Sequence, residues 1–197
     1  MYPASPPLIV VWPYAALFWP AFAWAYAPEL RVNLRSRSLA GAQDAGSMRF
    51  MMAFQIAALW IAFAIAFVGR LGSLSRQRLW FWVGLGTMIL GSLLRRHCFR
   101  MLGPSFTAAV VVLPGQTIVE RGAYHWVRHP SYTAGLLFLG GIAIALGNWI
   151  SILVVWITVA LTLVYRVRVE ERALVATLGE PYRAYMRRTK RFLPMIV

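Results

Sequence analysis

"GAYHWVRHPSYTAG", residues Gly122–Gly135, lies between two apolar parts of the chain and gathers an arginine, two histidines, two tyrosines and a proline. Pro130 suits the first turn of a helix, where its missing N–H costs nothing. It also pushes His129 out of the helical region. The stretch therefore reads as a loop entering the N-terminus of a helix at "HPSY". A helix N-terminus carries free N–H groups and a partial positive charge, which suit an anion such as a carboxylate. Arg128 adds a fixed charge. Tyr124 and Tyr132 can pack against a flat ring and still donate a hydrogen bond. The ordinary alternative for these tyrosines and Trp126 is an aromatic belt at a membrane interface. His125 and His129 have the i, i+4 spacing of a metal pair. Pro130 argues against one helix through both, and no third ligand stands near, so no metal is expected.

The residues that follow, about Tyr132 to Leu146, are apolar, and so are Trp149 to Tyr165. Gly147 and Asn148 make a tight turn between them, and so short a turn forces a helical hairpin. Three further apolar blocks stand upstream, at about Pro7–Ala27, Phe50–Val68 and Leu79–Leu94. Each block is close to the length that a helix needs to cross a bilayer. Pro13 and Pro20 in the first are tolerated in membrane helices. The 197 residues are 60% hydrophobic and only 13% charged, with a mean hydropathy of +0.63; a soluble domain has about 25% charged residues. These features predict an all-α integral membrane protein of about five transmembrane helices, ending in the hairpin.

The net charge of +14 would raise nucleic acid as a partner of a soluble protein. Here the arginines flank apolar blocks, so the expected partner is the lipid bilayer with its anionic headgroups, and no nucleic acid. Cys98 stands alone, so no intrachain disulfide forms. The N-terminal block lacks a basic flank and reads as a retained helix rather than a cleaved signal. Five spans put the chain ends on opposite sides. The basic tail places its end in the cytoplasm, although the Arg70–Arg78 linker then falls outside, against the charge rule. Arg31–Arg49 reads as a flexible loop, and "RRHCFR" as the end of the third block. Met101–Ser131 reads as irregular structure, longer than most connections and for that reason a functional candidate. Residues 1–100 thus hold three helices, and residues 101–197 hold the loop, the hairpin and a basic tail. In that tail a helical period runs to Leu178, and Gly179 reads as a stop. Gly84, Gly86 and Gly91 would let helices approach closely, within one chain or between two.

Arg166, Glu170 and Glu171 stand where the fifth block ends. Arg166 and Glu170 share a helix face. Ionisable groups at membrane depth are costly and mark function, though an interfacial salt bridge is the plain alternative. An anion site from one segment and a carboxylate pair from another, about 40 residues on, suggest a polar pocket under a lipid-facing entrance.

"PGQTIVERGAYHWVRHPSYTAG", a helical hairpin and then "RVRVEERALVATLGEPYRAYMRRTKRFLP" resemble the isoprenylcysteine carboxyl methyltransferase family, within the wider phospholipid methyltransferases. The resemblance covers roughly Leu102 to Pro194. Its specific content is RHP, the hairpin, R-x-x-x-EE and G-E-x-Y-x-x-Y in combination. It implies an integral membrane enzyme with a cytoplasmic pocket, moving a methyl group from S-adenosyl-L-methionine to a lipophilic acceptor and leaving S-adenosyl-L-homocysteine. By position it implies cofactor binding by Gln116, Thr117, Ile118, Val119, Tyr124, His129, Pro130, Ser131, Tyr132 and Glu170. It implies that Arg166 faces the acceptor's carboxylate, with Glu171 completing the catalytic pair. Gln116 and Ala123 depart from the family's histidine and proline. A carboxylate acceptor is already ionised and needs no general base. An amine acceptor, the alternative in a phospholipid N-methyltransferase, must first lose a proton. A membrane scaffold or small transporter would bind no cofactor. A reductase on a related fold is disfavoured, because no G-x-G-x-x-G fingerprint is present.

Overall fold

The structure is a computed structural model. It describes residues 6–37, 44, 46–68, 71–103, 106 and 118–192, with the side chains of 35–37 left aside. The described residues hold six α-helices: α1 (Tyr14–Arg37), α2 (Ser47–Val68), α3 (Gln77–Leu102), α4 (Pro130–Ala145), α5 (Trp149–Leu178) and α6 (Glu180–Arg188). Two 3-10 turns, Leu8–Val10 and Gly122–His125, accompany them. No strand occurs among the described residues beyond two isolated bridges.

Four of the apolar blocks lie within α-helices, and the first enters one only at Tyr14, after a 3-10 turn at Leu8–Val10; three of the helices run further than their apolar residues. The first continues through "RVNLRSR" to Arg37, where a loop was expected from Arg31. The third does not stop at Leu94, because α1 receives its arginines: Arg96 donates to the Trp24 carbonyl at 2.5 Å and stacks over the Trp24 ring. The fifth block and the start of the tail form one 30-residue helix. Gly179, at φ +63°, ends it, as the sequence predicts. Among the described residues, only α2 and α5 are both long and apolar enough to cross a membrane. The 16 residues of α4 span about 24 Å, short of the roughly 30 Å hydrocarbon core.

Contacts join α1 to α3, α3 to α4, α4 to α5, and α5 to α2. The α3–α4 contact is the most intimate. A Cβ at Gly84 would lie 2.3 Å from the Ala145 nitrogen, one at Gly91 2.4 Å from the Phe138 nitrogen, and one at Gly141 2.3 Å from the Met88 nitrogen. The backbones touch, the arrangement small residues permit between membrane helices. Gly86 has no such role, since a Cβ there meets nothing within 4 Å. Side chains bridge the other seams. Ser92 donates to the Ala25 carbonyl at 2.9 Å, and Ser151 to the Ala62 carbonyl at 2.8 Å.

One end of the bundle is tied by its turns. Asn148 caps α5 by accepting from the Ile150 and Ser151 amides, and its side chain donates to the Leu71 carbonyl at 2.9 Å. The Trp149 amide donates to Gly72, and the Leu74 amide to Gly147. The α2–α3 and α4–α5 turns are therefore knitted together, which gathers the N-termini of α2 and α4 and the polar parts of α1, α3 and α5 at the opposite end.

Candidate functional site

Pro130 is the first residue of α4, and His129 before it has φ −125° and ψ 51°, outside the helical region. The tail past α6 holds this loop. Arg128 donates its amide to the Lys190 carbonyl at 2.7 Å, and His129 donates to Arg191 at 2.9 Å. The tyrosines of "GEPYRAY", Tyr182 and Tyr185, are buried, and the Tyr185 hydroxyl donates to the Tyr124 carbonyl at 2.6 Å. Burial, with Glu120 adding to it, pushes the Tyr185 pKa up to about 12, so it stays a neutral donor. The second half of the motif is thus a clamp on the first.

Arg128 turns inward. Its guanidinium donates to Glu171 Oε1 at 2.9 Å, to the Met186 carbonyl at 3.0 Å and to the Thr189 carbonyl. The fixed charge expected at the helix mouth is taken up within the chain. Glu171, 5% exposed, also accepts from Arg191 at 3.1 Å and lies 3.4 Å from His129 Nε2. His129 is buried between the two glutamates, with Nδ1 3.9 Å from Glu170.

The two glutamates therefore part company. Glu171 faces the tail, and Glu170 faces α4. The Tyr132 hydroxyl donates to Glu170 Oε2 at 2.6 Å and accepts from Arg166 Nε at 3.4 Å. The i, i+4 pair read from the sequence is bridged by a tyrosine from another helix. Arg166 is 1% exposed and also bonds Asp44 and Ser47 at the entrance to α2. Asp44 accepts from the Met48 amide at 3.1 Å, so it caps α2 as well.

Ser131 is buried, and its carbonyl accepts from Arg95 Nη1 at 2.7 Å; Arg95 also pairs with Glu29. Tyr124 is buried too, and burial raises its pKa. Its hydroxyl has no hydrogen-bond partner among the described residues: neither Ser131 nor Cys98 beside it meets it in hydrogen-bond geometry. Ile118 and Val119 are half-buried and in no regular element. Gln116 and Thr117 lie outside the described residues.

Tyr132 and Arg95 line a cavity of about 250 Å³, together with Glu29, Met51 and Gln55. It shares Phe22, Ile56 and Leu59 with a cleft of about 360 Å³ between α1 and α2, which is lined, among the described residues, by apolar side chains. A cavity with a polar end and an apolar cleft thus share a wall. Asp44, Glu29 and Arg95 were not foreseen as part of this end. For Asp44 and Glu29 the visible signal was rarity: the chain has six acidic residues, and an acidic side chain near apolar blocks has a partner.

Residues 82–176 match the family model described as the Isoprenylcysteine carboxyl methyltransferase (ICMT) family. The match begins in α3 rather than at Leu102, and ends before α6 rather than at Pro194. The protein-S-isoprenylcysteine O-methyltransferase of Schizosaccharomyces pombe is 31% identical over 114 residues, which cover 57% of this chain and 48% of that protein. The uncharacterized protein YpbQ of Bacillus subtilis is 26% identical over 120 residues, 60% of this chain and 71% of that protein. The chain thus spans about half the length of its S. pombe relative. The solved structure of the eukaryotic intramembrane Ras methyltransferase ICMT shares the fold, with a TM-score of 0.62 at 20% identity, covering 96% of this chain and 70% of that one. From the segment matched, these relatives and the shared fold, the chain is similar to the isoprenylcysteine carboxyl methyltransferase family over residues 82–176.

Proposed function

We propose that this chain is an S-adenosyl-L-methionine-dependent membrane methyltransferase that esterifies the carboxylate of a prenylated or otherwise lipidic acid. The observation that carries the reading is Tyr132, which bridges Arg166 and Glu170 and lines a cavity that shares side chains with an apolar cleft. A lipophilic acceptor has an apolar tail and one charged group, and this space has the same polarity profile.

The residues present fit the donor. Tyr124 offers a buried hydroxyl with no described partner. The Glu170 side chain is 29% exposed, so a carboxylate remains within reach of a ligand. Gln116, Thr117, Ile118, Val119, Tyr124, His129, Pro130, Ser131, Tyr132 and Glu170 would hold it. Bound there, S-adenosyl-L-methionine supplies an activated methyl group. The chain's residues do the rest by placement. Arg166 holds the acceptor carboxylate as an ion pair, and its present partner Asp44 gives way to that carboxylate. Glu170 and Tyr132 orient the donor side. Glu171 acts through His129 and Arg128, fixing the loop that enters α4. Because the acceptor is already ionised, rate comes from alignment and exclusion of water rather than from a general base. Five helices in the bilayer, with this end at the cytoplasmic face, agree with the basic tail beside it.

Calorimetry with S-adenosyl-L-homocysteine on the detergent-purified protein tests the reading. Micromolar or tighter binding, lost in Glu170→Ala, supports it. No binding to folded wild-type protein overturns it. Product treatment with mild alkali then separates a methyl ester, which is cleaved, from a methylamine, which is not.

A further inference from the structure

Behind α5, facing away from Tyr132, lies a second hollow of about 590 Å³. Arg168 and Arg172 reach it from α5, Arg183 from α6, and Arg191 from the tail. Gly179 makes this possible, because its positive φ turns the chain so that α6 begins at once and folds beside α5. The floor is apolar, with Val175, Ala176 and Met186. Glu171 is the one carboxylate on the lining among the described residues, and it is buried and engaged by Arg128, Arg191 and His129. Arg183 has a loose 3.7 Å pair with Glu180. Arg168 and Arg172 are exposed and form no ion pair among the described residues. Four guanidinium groups around one hollow repel one another, and an anion between them removes that repulsion.

Depth and surface identify the anion's source. The apolar part of α5 ends at Tyr165. At 1.5 Å per residue, Arg168 lies about 4.5 Å beyond it and Arg172 about 10 Å, and headgroups occupy roughly 5–8 Å outside the hydrocarbon. Leu153, Ile157, Leu161 and Val164 are exposed on α5. They follow one another at intervals of three or four, and Arg168 and Arg172 continue the same stripe. An apolar stripe thus leads straight into the arginines.

We propose that this hollow is a binding site for one anionic phospholipid, with its phosphate among Arg168, Arg172 and Arg183 and an acyl chain along the Leu153–Val164 stripe of α5. The site is separate from the acceptor cleft between α1 and α2, and it does not depend on the methyltransferase reading.

The test is thermal unfolding of the full chain in detergent, followed by tryptophan fluorescence during titration with phosphatidylglycerol, with phosphatidylcholine of the same chains, and with inorganic phosphate. The expected result is stabilisation by phosphatidylglycerol alone. Two interfacial arginines are worth about thirtyfold in affinity, so the double variant R168Q/R172Q should need about thirty times more lipid. R31Q/R100Q, which removes the same charge elsewhere on the surface, should behave as wild type. An unchanged titration in R168Q/R172Q overturns the site, as does an equal loss in R31Q/R100Q. Equal stabilisation by inorganic phosphate overturns the lipid source. If R168Q/R172Q does not fold, a photoreactive phosphatidylglycerol crosslinked to the wild-type chain decides the matter: adducts within residues 153–191 support the proposal, and adducts confined to other segments overturn it.

Discussion

Tyr132→Phe isolates the Arg166–Tyr132–Glu170 bridge with the smallest change of shape. The ring remains, stacked on His129 at 5.5 Å between centroids, and only one oxygen goes. That oxygen donates to the Glu170 carboxylate at 2.6 Å and accepts from Arg166. A hydrogen bond to a charged partner contributes about 1.5–3 kcal/mol. The Glu170 side chain is 29% exposed, so water can replace part of the lost donor, which puts the cost near the lower bound. About 1.5 kcal/mol is roughly a tenfold effect. Tyr132→Phe should therefore weaken S-adenosyl-L-homocysteine binding about tenfold by calorimetry, because Glu170 loses the donor that orients it. Arg166 keeps Asp44 and Ser47, so the thermal midpoint should shift by only a few degrees. Wild-type affinity in a folded Tyr132→Phe protein would refute the role of the bridge and return the Arg166–Glu170 spacing to an interfacial salt bridge.

Arg166→Ala should abolish methyl transfer while sparing donor binding, as single-turnover assays would show. It should also destabilise the protein by about 3–5 kcal/mol, the effect of removing one member of a buried ion pair; adding Asp44→Asn should recover part of that loss in thermal melts. Gly91→Ala should lower the midpoint clearly, at a cost of about 1–3 kcal/mol from overpacking, because its Cβ would meet the Phe138 backbone at 2.4 Å. Gly86→Ala, which meets nothing, should leave the midpoint unchanged or raised. The Tyr185 pKa is raised to about 12 in the fold, against about 10 in an unfolded chain. Its contribution is complete below pH 10 and is lost between pH 10 and 12, where the unfolded phenol ionises and the folded one does not. Tyr185→Phe should flatten that part of the stability–pH curve.

Signals confined to a turn or two of chain were legible in the amino-acid sequence. Apolar runs marked the five bundle helices, because burial or lipid contact must cover them whatever their neighbours. Pro130 marked the start of α4, Asn148 the turn before α5, and Gly179 its end, since each acts on backbone within four residues of itself. Tyr124, His129, Tyr132, Arg166 and Glu170, which the resemblance brought forward, converge at one end of the bundle. What the sequence could not show was which groups would meet across helices. Asp44 reaches Arg166 over 122 positions, and Glu29 reaches Arg95 over 66. Nor could it show that Glu170 and Glu171, adjacent in the chain, point to different neighbours, or that Gly91 touches α4 while Gly86 touches nothing. A helix turns about 100° per residue, so adjacent side chains diverge. Their partners depend on how neighbouring helices are rotated and how closely they approach. That is decided by the glycine contact of α3 with α4 and by the paired turns at the far end, and it exists only once the bundle has formed.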